Sequence, residues 1–105
     1  MPQAPKHLQP KTRQWWTAVV KKHKLSEPQC QLLTLAGEAW DRSAQARCSL
    51  EQDGLIFHDR FGQPRPRPEI NIEKDAKLLF ARLLHELQIS SENLPEWFSR
   101  VKVVE

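Results

Sequence analysis

Ser26-Glu27-Pro28-Gln29 has the form of a capping box, in which the Ser26 hydroxyl accepts an amide hydrogen bond and the Gln29 side chain returns one. Beyond it Leu32, Ala36, Ala39, Ser43, Ala46 and Leu50, flanked by Leu33 and Trp40, keep i, i+3, i+4 spacing as far as Asp53. Gly54 then follows as a left-handed cap. These signals predict one helix of about 26 residues, roughly 39 Å long, in a chain of only 105 residues. A domain of this size buries about two-thirds of the surface its unfolded chain exposes, so a partner subunit is expected to supply part of the cover. The middle of the stripe is Ala and Ser, small enough to admit a second helix closely, with Trp40 as a large anchor beside them. Two uses follow: a hairpin partner within the chain, or a subunit interface formed by Leu32, Leu33, Ala36, Trp40, Ser43 and Leu50. On different faces the two are compatible.

The remaining elements arrange themselves around that helix. Residues 1–9 hold two prolines and no apolar periodicity, and read as a flexible basic arm. A first helix is expected from Pro10 to about Lys24, because proline suits the first turn and Trp15, Trp16, Val19 and Val20 recur at helical spacing. After the long helix, Leu55–Asp59 and Gln63–Arg67 flank Arg60-Phe61-Gly62, the pattern of a short hairpin or an extended loop. Pro64, Pro66 and Pro68 confine any second strand to an edge. From about Ile70 a helix resumes, with Ile72, Ala76, Leu79, Phe80, Leu83, Leu84 and Leu87 on one broad face and Glu73, Lys77, Arg82 and Glu86 opposite. The expected class is all-α: a long antiparallel helical hairpin plus an amino-terminal helix, with a proline-rich loop or β-hairpin between the long helices. Residues 10–89 form the helical core and oligomerisation domain, and residues 90–105 a tail. Its Arg100-Val101-Lys102-Val103-Val104 alternation fits a strand or partner-docking segment.

No apolar run approaches the roughly 20 residues that cross a bilayer, and MPQAPKHLQP lacks the apolar centre of a secretory signal. No membrane partner is expected, and the cytoplasm of the host cell is the expected location. Cys30 and Cys48 both fall in the long helix, about 27 Å apart at helical rise, too far for a disulfide. Two cysteines at that spacing give no zinc pattern either. His7, His23, His58 and His85 lie in four separate segments, and neither a metal-ligand spacing nor a phosphate-cradling glycine loop joins them. His58-Asp59 is the one adjacent pair with nuclease character, and a polar turn explains it. Neither enzyme, metal nor cofactor is expected.

Charge points to a different chemistry. The formal net charge is only +3, yet Lys6, Lys11, Arg13, Lys21, Lys22 and Lys24 all precede Glu27, the first acid in the chain. Arg60, Arg65 and Arg67 form a second cationic stretch. Segregated positive charge suits a polyanion, and phosphate contacts require only suitably placed Lys and Arg. These nine residues are the candidate DNA contacts. The lysines at 21, 22 and 24 also have a structural explanation, since cations favour the carboxyl end of a helix dipole.

Read in order, Trp15-Trp16, Leu32-Leu33-Thr34-Leu35-Ala36-Gly37-Glu38-Ala39-Trp40-Asp41-Arg42, Asp53-Gly54-Leu55 and Asp59-Arg60-Phe61-Gly62-Gln63-Pro64 resemble a phage small terminase subunit. Arg67-Pro68-Glu69 and Phe80-Ala81-Arg82-Leu83-Leu84-His85-Glu86-Leu87 continue the likeness, which spans about residues 8–89. The resemblance implies a non-catalytic multimeric ring that recognises viral DNA at the packaging start and passes it to a large subunit bearing the ATPase and nuclease. The implied partners are double-stranded DNA, the large terminase subunit, and further copies of itself or of another small subunit. A prophage or satellite relative that joins or diverts another virus's packaging machinery has the same appearance. So does a protein-interaction module that binds a terminase without touching DNA. A helical transcription regulator is disfavoured, because no short two-helix unit with a distinct recognition helix is visible.

Overall fold

Proline opens all three helices of the computed structural model, which describes residues 3–89. At the first turn proline's missing amide costs nothing and its fixed φ is already helical. Helix α1 spans Pro10–His23 and ends where Lys24 turns left-handed at φ 49°. Helix α2 runs unbroken from Glu27 to Asp53. The Ser26 amide donates to Gln29 Oε1 at 2.8 Å and the Gln29 amide to Ser26 Oγ at 3.4 Å, so both halves of the capping box are present. Gly54 stops α2 at φ 83°, ψ 178°, a conformation that side chains resist. Strands β1 (Ile56–His58) and β2 (Pro64–Pro66) pair antiparallel with Phe57 opposite Arg65. Helix α3 spans Pro68–Glu86. The proline-rich connection is therefore a β-hairpin, and prolines 64 and 66 leave the outer edge of β2 short of amide donors for any further strand.

Helix α3 returns antiparallel along α2: Arg47 meets Glu73 near one end and Trp40 meets Phe80 nearer the other. Helix α1 lies antiparallel over the first half of α2, as the Thr12–Asp41 and Trp16–Thr34 hydrogen bonds record. The three helices converge on Phe80, whose ring centroid is 5.6 Å from that of Trp15 and 5.3 Å from that of Trp40. Leu33, Ala36, Leu83 and Leu84 complete this core.

That packing corrects the expected use of the small-residue stripe. Leu33, Ala36, Trp40, Ser43 and Leu50 are all buried within the chain, and Leu32 is half-buried against the same core. The long helix receives α1 on one flank and α3 on the other, so the Ala and Ser positions accept the chain's own helices and offer no surface to a second subunit. The rotation of α3 also differs from its apolar pattern. Glu73 is inside, whereas Ile72 and Leu79 are exposed, because the apolar stripe of α3 is wider than the strip α2 can cover.

Glu73 keeps its place by pairing. Its Oε2 accepts from Arg47 Nε and from Lys77 Nζ, both at 2.9 Å. Burial alone would raise its pKa, but the two hydrogen bonds and two cations outweigh that and hold it below the ordinary glutamate range. A carboxylate with a depressed folded pKa adds stability above its unfolded pKa, and that contribution disappears as pH falls through the folded value. Acid titration of urea-unfolding stability should therefore show a loss beginning in the ordinary glutamate range and continuing below it. Glu73→Gln should flatten this acid limb, and an unchanged limb would refute the assignment.

The segment expected to be a flexible arm packs against the core from Ala4 onward. Leu8 is only 4% exposed and its methyls would lie 3.1 and 3.3 Å from a Cβ placed on Gly37. The glycine lets the segment close onto α2. Asp41 then fixes the start of α1: Oδ2 accepts the Gln9 amide at 2.9 Å and Oδ1 accepts the Thr12 hydroxyl at 2.6 Å. Isolated prolines and one leucine give no periodicity, which is why the docking is invisible in the sequence. Asp41→Ala leaves two donors without their acceptor and should cost about 1–3 kcal/mol in chemical denaturation. A cost near zero would mean that α1 is held by its apolar face alone. The expected tail, residues 90–105, lies outside the described residues. Among those described, no helix is long and apolar enough to cross a membrane.

Candidate nucleic-acid interface

Burial of Trp15, Trp16, Val19 and Val20 against α2 determines which side of α1 faces outward. At 100° per residue Arg13, Thr17 and Lys21 fall along one side of the outward face, Lys24 follows just past the helix end, and all four are exposed. Lys11 and Lys22 lie along a neighbouring edge, also exposed. Arg13 to Lys24 is about 16 Å at helical rise, a length along which duplex DNA carries about ten phosphate charges. An open groove runs beside this row, lined by Gln3 and Ala4 on one side and by Arg13, Thr17 and Lys21 on the other. Its charged lining residues are cations. Lys6 is exposed in the docked segment just before the helix. Six of the nine candidate contacts are thus gathered on α1 and the segment leading into it.

Lys21, Lys22 and His23 also occupy the last turn of α1, where the helix dipole favours positive charge. For Lys21 and Lys22, which are exposed, this structural role is compatible with phosphate contact, whereas His23 is half-buried with its Nε2 enclosed.

The arginine set is less uniform. Asp59 organises the hairpin tip: its Oδ1 accepts the amides of Phe61 at 2.9 Å and Gln63 at 3.0 Å, and its Oδ2 accepts Arg65 Nε at 3.1 Å. The Gln63 amide is the largest influence that lowers the Asp59 pKa, with burial opposing and Arg65 and Phe61 adding to it. Gly62, at φ 76°, closes the turn. Arg65 is therefore engaged with an acid, while Arg67 is half-buried at the hairpin base with its Nε unpartnered. Arg60 alone projects from the tip, its guanidinium 5.0 Å from the centroid of the Phe61 ring. Phe61 itself is 73% exposed. A lone aromatic in a polar turn carries no periodic signal in the sequence.

The two cationic regions are not brought together. The 27 residues of α2 separate Ser26, beside the lysine end of α1, from Gly54, where the hairpin begins, a distance of about 40 Å. Among the described residues, no three His, Cys, Asp or Glu side chains form a cluster able to hold a metal ion. Cys30 is buried, and burial followed by the charge of Glu27 pushes its thiol pKa up. Cys48 is exposed. Comparison with family models, with curated proteins and with solved structures found no match for this chain.

Proposed function

We infer that this protein is a small terminase subunit-like factor that self-associates, binds viral double-stranded DNA and directs it to a large terminase subunit for packaging. The observation that carries the inference is the acid-free outer face of α1, where Lys11, Arg13, Lys21 and Lys22 are exposed on the helix and Lys24 is exposed at its cap. Cations on a helix already held by its buried face meet phosphates without a further backbone-ordering cost, and repetition in an oligomer multiplies a weak contact. The role proposed is non-catalytic and cofactor-free, and it is exercised in the host cytoplasm.

A second reading has its own support. Leu55, Ile56, Pro64, Pro66 and Ile70, with the stem of Arg65 among them, line a mostly apolar patch between the hairpin and the start of α3, which suits protein docking better than phosphate. On that reading the chain, satellite-encoded for example, binds and redirects a terminase without touching DNA. Co-sedimentation of the purified protein with duplex DNA, with a large terminase subunit, and with both separates the two. The packaging role requires all three to form complexes. Capture of the large subunit with no DNA retention at low salt would replace it with the second reading.

A further inference from the structure

We propose that the free edge of β1 receives the segment Arg100–Val104 of a neighbouring copy as an added strand, so that copies join head to tail. The Asp59 amide donates to the Gln63 carbonyl at 3.0 Å and the Arg67 amide to the Leu55 carbonyl at 2.9 Å, with Phe57 opposite Arg65 between them. In an antiparallel pair the intervening residues turn their backbone groups away from the partner strand. Those residues are Ile56 and His58 on β1 and Pro64 and Pro66 on β2. Proline has no amide to offer, so β1 alone presents donors as well as acceptors outward. Among the described residues the amides and carbonyls of Ile56 and His58 have no hydrogen-bond partner, and both residues are exposed. Ile56, 56% exposed, belongs to the apolar patch with Leu55, Pro64, Pro66 and Ile70. An edge with unmet amides beside an apolar face is the seat that an extended segment takes by strand addition.

Charge and reach identify the occupant. Glu51 and Asp53 are exposed in the last turn of α2, just before β1, and that turn holds no cation. Neither acid has an ion-pair partner among the described residues, although acids at the carboxyl end of a helix oppose its dipole. A basic segment arriving at this end relieves both. Arg100-Val101-Lys102-Val103-Val104 has the matching pattern: as a strand it sets Val101 and Val103 on one face, beside Ile56, and brings Arg100 and Lys102 on the other. Helix α3, 19 residues long, carries the chain about 27 Å away from the hairpin. Only residues 90–99 separate Ile89 from Arg100. A compliant linker of about ten residues averages about 16–19 Å between its ends. To return to its own hairpin it must be drawn out towards its limit of about 33–36 Å. The edge of an adjacent copy can lie within the relaxed span, which makes a second copy the donor. Each copy then gives one strand and receives one, a heterologous contact that closes into a ring where the rotation between copies permits. The inference rests on the self-association in the packaging role and names the surface for it, in place of the buried α2 residues.

Two full-length variants, one disabled on each side of the contact, test it. Ile56→Pro with His58→Pro removes outward amides that the hairpin itself does not use, and Val101→Asp with Val103→Asp charges the donor segment. Sedimentation equilibrium should show the parent as an assembly of more than two copies, and each variant should self-associate about tenfold or more weakly. Mixed in equal amounts, the variants should form pairs and nothing larger. The intact tail of one meets the intact edge of the other, and the series of contacts stops there. A synthetic peptide of residues 98–105 should slow amide exchange at Ile56 and His58 in the tail variant, a readout that needs no change in the hairpin. A monomeric parent, a variant that assembles like the parent, a mixture that forms no pairs, or exchange unchanged by the peptide would each overturn the proposal. A parent that assembles independently of edge and tail and still binds DNA and the large subunit overturns this contact and leaves the packaging role standing. Assembly that depends on both, with neither DNA nor large subunit bound, does the reverse.

Discussion

Phe80→Ala should lower the free energy of unfolding by about 3–5 kcal/mol, the range for removing a large buried aromatic. Phe80 is 3% exposed and its ring is flanked by Trp15 of α1 and Trp40 of α2. The substitution therefore removes apolar burial and two ring contacts at the one point where all three helices meet. Small domains have about 5–15 kcal/mol in total, so the variant should be near the limit of folding at physiological temperature. Urea unfolding followed by helix circular dichroism measures the difference. Trp40→Ala should cause a loss of similar size, and any accompanying loss of assembly would follow from unfolding, since Trp40 is interior. A loss below about 1 kcal/mol for Phe80→Ala would contradict the three-helix junction.

The second large effect concerns DNA. Replacing Lys21, Lys22 and Lys24 together with alanine should weaken duplex binding on the order of 100-fold at low salt, as expected for three phosphate contacts. Binding should fall across sequences, because phosphate contacts carry no sequence information. The side chains are exposed, so stability should change by less than about 0.5 kcal/mol beyond the small dipole contribution. Replacing Arg60, Arg65 and Arg67 with alanine should have a smaller effect on affinity, since Arg65 is held by Asp59 and Arg67 is half-buried. Competition titrations with a labelled duplex compare the two sets. Equal and minor effects from both would leave the lysines as a helix-end charge cluster only.

Helix ends and helix existence were legible because their signals are local. The Ser26–Gln29 box, Gly54 and the prolines at 10, 28 and 68 all occur where the chain enters or leaves a helix. What could not be read depends on residues distant in sequence. Asp41 reaches Gln9 and Thr12 across about thirty residues, and nothing near Asp41 marks it as an anchor. Gly37 looks like a weak point in a helix, yet it is the gap that Leu8 fills. The stripe of α3 was too broad for periodicity alone to decide its rotation, and the pair of cations around Glu73 settled it in favour of a buried acid. The cationic character of α1 was visible in the sequence, whereas its outward orientation required the burial of Trp15, Trp16, Val19 and Val20.

The central claim, that the α1 face binds phosphate, is tested most directly by the salt dependence of duplex binding by the parent protein. Neutralising phosphates releases counterions, so a plot of log affinity against log salt should be linear with a slope of about −0.9 for each phosphate contacted by the assembled protein. Between about 50 and 200 mM salt the affinity should fall steeply, and the Lys21, Lys22 and Lys24 triple alanine variant should show a correspondingly shallower slope. A parent slope near zero, or a slope that the triple variant leaves unchanged, would contradict the claim.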